Sequence, residues 1–313
     1  MLICKSLEKN LSYLKSRLNS SDVEFNYFKI SNLNAAVIYI KDITDKDGIG
    51  EFIIKPAILY NKKINSKNLK DIFLFPEKQV IKNLNDALRQ IVSGNTILLI
   101  ENVAIALSFG LKKFEKRTIT EPPTSTVIKG PREGFVESLP VNISMIRRRL
   151  KTPDLIFEDK IVGKYSSTSV CLCYLKNIAD KKLVETLRKK IQQIDIDAVL
   201  DSSYVSKFIG EKKDSLFKQI GNTEKPDILV AKILEGRVAI LVDGSPIALT
   251  APYLLIEDFQ SPSDYYSSAY SATLARMLRF LAVFISIFLP AIFVSAELFH
   301  LQLIPLSFLL TIV

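Results

Sequence analysis

Few residues in this chain have the type and spacing that covalent or metal chemistry needs. The only histidine, His300, stands in an apolar C-terminal region, so no Ser-His or Cys-His couple can form in the polar part. Cys171 and Cys173 lie two apart in VCLCYL, which puts both thiols on one face of a strand. A metal needs more ligands than that. With Cys4 the cysteine count is odd, so a disulfide framework is not implied and the pair reads as buried thiols. Asp42, Asp45 and Asp47 crowd before Gly48 but lack the spacing and the closing glutamate of a calcium loop. DGIG (47–50) begins like a dinucleotide fingerprint, yet Ile53 takes the place of its third glycine. EDKIVGKYS has Gly-Lys before Tyr165, with Glu158 where a phosphate loop needs glycine. No catalytic, cofactor-binding or metal-binding residue is assigned, no cofactor is expected, and ligand-binding residues stay unassigned. The pattern points away from an enzyme.

The formal charge of +9 raises a nucleic-acid reading. The lysines are scattered as pairs among acids, with no nucleic-acid motif around them. A solvated surface beside an anionic lipid leaflet explains them better, so no nucleic-acid partner is expected.

The elements around these residues fall into two similar halves. VIYIKDITDK (37–46) matches LCYLKNIADK (172–181), and GNTILLIENVAIALS (94–108) matches GRVAILVDGSPIALT (236–250). In each half an apolar strand (35–40; 169–175) leads through a polar turn to a helix (50–60; about 180–193). A second helix (83–94; 226–236) ends in a glycine suited to its C-terminus. A hairpin follows, turning at Glu101-Asn102 or at Asp243-Gly244, the latter just before Pro246; Asp-Gly between apolar runs is a strong hairpin signal. The fold class is therefore α/β: two similar α/β subdomains joined by a bent helical connector and followed by a transmembrane helix. The expected divisions are 1–120 and 151–258 for the subdomains and 121–150 for the connector.

The connector reads EPPTSTVIKGPREGFVESLPVNISMIRRRL. Pro122, Pro123 and Pro131 fix φ and stop regular structure, and Gly130 supplies a positive φ before Pro131. Helix is expected from Arg132 and Glu133 onward, with Pro140 kinking it. Arg147, Arg148 and Arg149 point in different directions, either to several partners at once or into solvent at a helix end.

MLRFLAVFISIFLPAIFVSA (277–296) has no polar face and enough length to cross a hydrocarbon core of about 30 Å as a helix. Residues 259–276 form a juxtamembrane linker. Tyr265, Tyr266 and Tyr270 there are either headgroup-level anchors or ordinary surface tyrosines. The N-terminus has no uninterrupted apolar run of the kind a signal peptide carries. Arg276 and Arg279 flank the span while Glu297 follows it, which orients residues 1–275 to the cytoplasm. LQLIPLSFLLTIV closes the sequence, and 297–313 is expected to start a second membrane segment that the sequence cuts short.

The connector tract, VAILVDGSPIALTAPYL (238–254) and FQSPSDYY (259–266) resemble motifs of the GerA family of spore germination receptors, and within it of the A subunit. The resemblance implies a cytoplasmic region of two α/β subdomains followed by several membrane helices, in the spore inner membrane. It implies as partners a transporter-like B-type subunit, a C-type lipoprotein and further A subunits as a homo-oligomer, sensing nutrients and forming or gating an ion channel. A related sporulation membrane protein, or a regulatory subunit of a transporter, is the alternative.

Overall fold

The computed structural model describes residues 1–60, 62, 64–65, 68–113, 130–210 and 218–299. Met1–Lys113 and Pro131–Tyr253 belong to one compact unit, and Gly130 with Leu254–Phe299 to another.

The first half of the larger unit opens with α1 (Leu7–Arg17), β1 (Val23–Ile30) and β2 (Leu33–Ile40). A helical run follows, made of α2 (Lys46–Ile49), a π-turn (Gly50–Ile54) and α3 (Lys55–Leu59). Then come α4 (Leu69–Ile72), β3 (Lys78–Ile81), α5 (Leu84–Val92), β4 (Thr96–Ile100) and β5 (Ala106–Phe109). The strands form one antiparallel sheet in the order β1-β2-β4-β5-β3. Strand periodicity sorts its side chains onto two faces. Ala36, Ile38, Ile97 and Leu99 pack under α1 and α5, whereas Val37, Tyr39, Leu98 and Ile100 pack under the helices of 46–72. β4 is buried at all five positions, which is why Ile97–Ile100 is a continuous apolar run rather than an alternating one.

The second half repeats the plan with α6 (Leu139–Arg149), β6 (Leu155–Val162), β7 (Thr168–Leu175), α7 (Lys181–Gln192) and α8 (Ser202–Ile209). It continues with β8 (Gly221–Thr223), α9 (Pro226–Leu234), β9 (Val238–Val242) and β10 (Ala248–Ala251). Its sheet has the corresponding order, β6-β7-β9-β10-β8. Cys171 and Cys173 lie on the face under α6 and α9, fully buried, and that burial pushes both thiols up.

Local signals explain the helix ends. Asn83 and Asp180 cap α5 and α7 by accepting from the amides of Asp86 (2.9 Å) and Lys182 (3.0 Å). Gly94 and Gly236 follow α5 and α9 with φ of +89° and +94°, values that favour glycine.

Three expectations change. Residues 131–137 are not helical; helix starts at Leu139, and Pro140 sits in its first turn, where its missing N–H costs nothing, so Pro140 starts a helix rather than kinking one. α6 is also not free connector: Leu139, Ile143 and Ile146 pack in the core with β6, β7 and β9, so the second half begins before residue 150. The apolar segment belongs to a longer helix, α10 (Ala269–Phe299), which takes up the last part of the expected linker. Pro122, Pro123 and residues 300–313 of the expected second segment lie outside the described residues.

Within the smaller unit, Leu255–Phe259 and Pro262–Tyr266 form two 3-10 turns ahead of α10. The stretch Ala269–Ala296 is long and apolar enough to cross a membrane, and none of its apolar window is buried.

Candidate functional site

The N-terminus of α6 is held by the hairpin between β9 and β10. Asp243 Oδ1 accepts from the Leu139 amide at 3.0 Å, and the Gly244 amide donates to the Glu137 carbonyl at 2.8 Å. Gly244 has φ of +82°, so the turn it makes is one that a side chain would strain. Pro246, half-buried, lies in the same connection. Asn142 clasps Val136, accepting from its amide (2.9 Å) and donating to its carbonyl (2.5 Å). The first half has the same clasp: Glu101 accepts from the Leu7 amide (3.0 Å), while Asn10 accepts from the Cys4 amide (3.1 Å) and donates to its carbonyl (2.7 Å).

So fixed, α6 ends in Arg147, Arg148 and Arg149, where positive charge suits the helix C-terminus. The helical twist sends them to different partners. Arg147 is fully buried against Asp22, which lies just before β1 in the other half. Its Nε and Nη2 donate to the two carboxylate oxygens at 2.9 Å each, a bidentate fork. Nη1 and Nη2 also donate to the carbonyls of Thr152 (3.0 Å) and Leu155 (3.2 Å), and the guanidinium stacks on Phe157 with its carbon 4.9 Å from the ring centre. The backbone closes the same joint: the Ser21 amide donates to the Phe157 carbonyl (3.0 Å), and the Phe157 amide donates to Ser20 Oγ (2.9 Å). An open groove of about 560 Å³ runs alongside, lined by Ser21, Phe25, Phe157 and Asp159 among others.

Arg148 and Arg149 turn back onto the connector and share the Glu133 carboxylate, Arg148 at 2.7 Å. Burial alone would raise the Glu133 pKa, but the two guanidiniums outweigh it and hold the carboxyl below its usual value. The Pro131 carbonyl accepts from buried Lys225, and Arg132 is exposed.

Asp42 follows β2 beside this joint. Burial, then the neighbouring charge of Asp22, push its pKa up to about 6.

In the smaller unit Gly130 has φ of +129°, as expected, and a Cβ there would lie 2.6 Å from the ring of Tyr266. Tyr265 and Tyr266 are half-buried, whereas Tyr270 is 82% exposed. Arg276 and Arg279 both reach Asp264, at 3.2 and 2.8 Å. The Arg279 guanidinium beside Asp264 holds that carboxyl well below the usual carboxylate range despite burial.

Among the described residues no group of three or more histidine, cysteine or acidic side chains is placed to hold a metal. What these residues form is a set of buried or shared ion pairs and close backbone approaches, which can hold or change an arrangement of parts. The arginines and Asp243 stand out in the sequence, whereas Asp22, Asn142, Asp264 and the approach of Tyr266 to Gly130 carry no local signal there.

A family model described as Bacillus/Clostridium GerA spore germination protein matches residues 12–313. The chain is 36% identical to spore germination protein KA of Bacillus subtilis over 323 aligned positions, covering 100% of this chain and 59% of the relative. It is 35% identical to spore germination protein GerLA of Bacillus cereus, covering 86% of this chain and 56% of that one. The chain thus spans about six tenths of the length of these relatives. The crystal structure of the N-terminal domain of the A subunit of the Bacillus megaterium spore germinant receptor GerK3 superposes with a TM-score of 0.60 at 31% identity. That match covers 82% of this chain and 98% of the domain. The chain belongs to the GerA family of spore germination proteins.

Proposed function

We propose that this chain is the cytoplasmic region and first membrane helix of an A-type germinant receptor subunit, and that it transmits a nutrient signal as a change of shape. The observation that carries this reading is the end of α6. There one residue seals the two halves through Asp22 and the next two grip Glu133 in the connector. In this reading the ion-paired joint holds a second arrangement that a membrane event favours, which is what coupling requires. In this reading α10 crosses the spore inner membrane and residues 1–275 face the core. The chain works with B-type and C-type subunits and with further A subunits to form or gate an ion channel. Family membership and the likeness to the GerK3 domain support the receptor role. The flanking Arg276 and Arg279 support the orientation.

Deleting the gene and screening nutrients tests the role: germination should fail for at least one nutrient mixture and return on complementation. Unchanged germination with every nutrient would favour the alternative, a sporulation membrane protein without a nutrient response. For orientation, cysteines introduced before residue 260 should resist impermeant thiol reagents added outside intact cells, and ready labelling would reverse the assignment.

A further inference from the structure

Leu254, Leu255 and Ile256 are consecutive apolar residues with exposures of 50%, 61% and 54%. A polar loop does not ordinarily present three such neighbours to water. They are not on a loose strand. The Glu257 amide donates to the Leu254 carbonyl (2.8 Å) and the Leu254 amide donates to Glu257 Oε1 (2.8 Å), closing a tight turn that projects the three side chains outward.

The turn is also fastened to α10 at a defined level. The Phe259 carbonyl accepts from Arg279 (2.8 Å), and the Phe259 ring packs against Phe280 with centroids 5.4 Å apart. Asp264, just beyond, holds Arg276 and Arg279. Phe280 opens the charge-free run 280–296, directly after Arg279 and one helical turn past Arg276. The turn therefore sits where α10 passes from its last charges into its apolar part. Those charges are already paired with Asp264, so attraction to phosphate groups is not what they chiefly offer.

We propose that Leu254–Ile256 is an interfacial anchor that inserts into the headgroup–hydrocarbon boundary of the bilayer beside α10. This rests on the reading that α10 spans the membrane. The occupant is the lipid surface, because the turn continues the apolar surface of the helix at the depth where that surface enters lipid. Insertion would fix the depth and tilt of α10 through Phe259 and Asp264, so that the clamp and the anchor act together.

The test uses the chain reconstituted in phosphatidylcholine vesicles, with Cys4→Ser and an environment-sensitive fluorophore on one introduced cysteine. Positions are Leu255→Cys, Ile256→Cys, Phe288→Cys within the apolar run, and Leu74→Cys as an exposed site in the other unit. Labels at 255 and 256 should emit blue-shifted and at least twofold brighter than the label at 74. Lipid carrying a nitroxide near the headgroup should quench them, and the label at 288 should be quenched by a deeper nitroxide. Emission at 255 and 256 like that at 74, with 288 still quenched, overturns the anchor and leaves the spanning helix standing. Blue-shifted emission that no nitroxide lipid quenches means protein covers the turn, and also overturns it. Absence of quenching at 288 removes the membrane reading and the anchor together.

Discussion

Arg147→Ala isolates the joint between the two halves. The substitution removes a guanidinium with only 2% of its side chain exposed and leaves Asp22, 1% exposed, with a buried carboxylate that has lost its bidentate partner. It also strips the donors that satisfy the carbonyls of Thr152 and Leu155 and removes the cation over Phe157. Breaking one side of a buried pair costs about 3–5 kcal/mol, because the remaining charge stays uncompensated. Urea unfolding of residues 1–253 should show a loss of that size. Arg147→Lys keeps charge but not the fork, and should lose less. Arg147→Met with Asp22→Leu removes both charges and should recover most of the stability, since an apolar pair of similar volume is often neutral. A loss below about 1 kcal/mol for Arg147→Ala, or a double variant no better than the single one, would refute the reasoning that this pair is what seals the joint.

Other substitutions test neighbouring parts. Asp42 keeps its proton to about pH 6 when folded but releases it near 3.8 when unfolded, so the stability its protonation confers is present below about pH 4 and lost as pH rises to 6. Asp42→Asn should therefore be more stable than the parent by about 1–3 kcal/mol at pH 7, with the gap closing toward pH 4; a gap independent of pH would contradict the shift. Gly130→Val places a β-branched residue at φ of +129° against the Tyr266 ring, at a backbone cost of about 1–3 kcal/mol. Spores carrying it at normal abundance should release ions poorly on nutrient addition, and normal release would remove Gly130 from the coupling. Pro140→Ala should change stability by less than about 1 kcal/mol, because the proline sits in the first turn of α6; a larger loss, or a bent helix by crystallography, would restore the kink.

The two-sheet plan was legible because its central strands and helix ends carry strong local signals. The apolar runs of TILLI and VAILV, the Asp243-Gly244 turn, and Gly94 and Gly236 after their helices all act over a few residues. The start of each half was harder. SLEKNLSYLKSRL (6–18) and SLPVNISMIRRRL (138–150) occupy matching places as α1 and α6. The second was masked by the prolines and glycines around it, which read as connector, although Ser, Leu, Asn and Ser recur at the same spacing in both. The Asp22–Arg147 pair spans 125 residues, and nothing in the sequence distinguishes Asp22 from its acidic neighbours. Its burial comes from the docking of one half on the other, a tertiary event with no local signature. Gly130 was legible as a turn glycine, but the Tyr266 ring that excludes a side chain there was not.

The most direct measurement is nutrient-triggered ion release from spores whose gene is replaced by the Arg147→Ala form, compared with spores carrying the parent gene. Subunit abundance is matched by immunoblot, with expression raised where the variant is less stable. A signal carried as a change of shape across the Asp22–Arg147 joint predicts release that is slowed or needs more nutrient at equal abundance. Release with the parent's rate and nutrient dependence at equal abundance would contradict it.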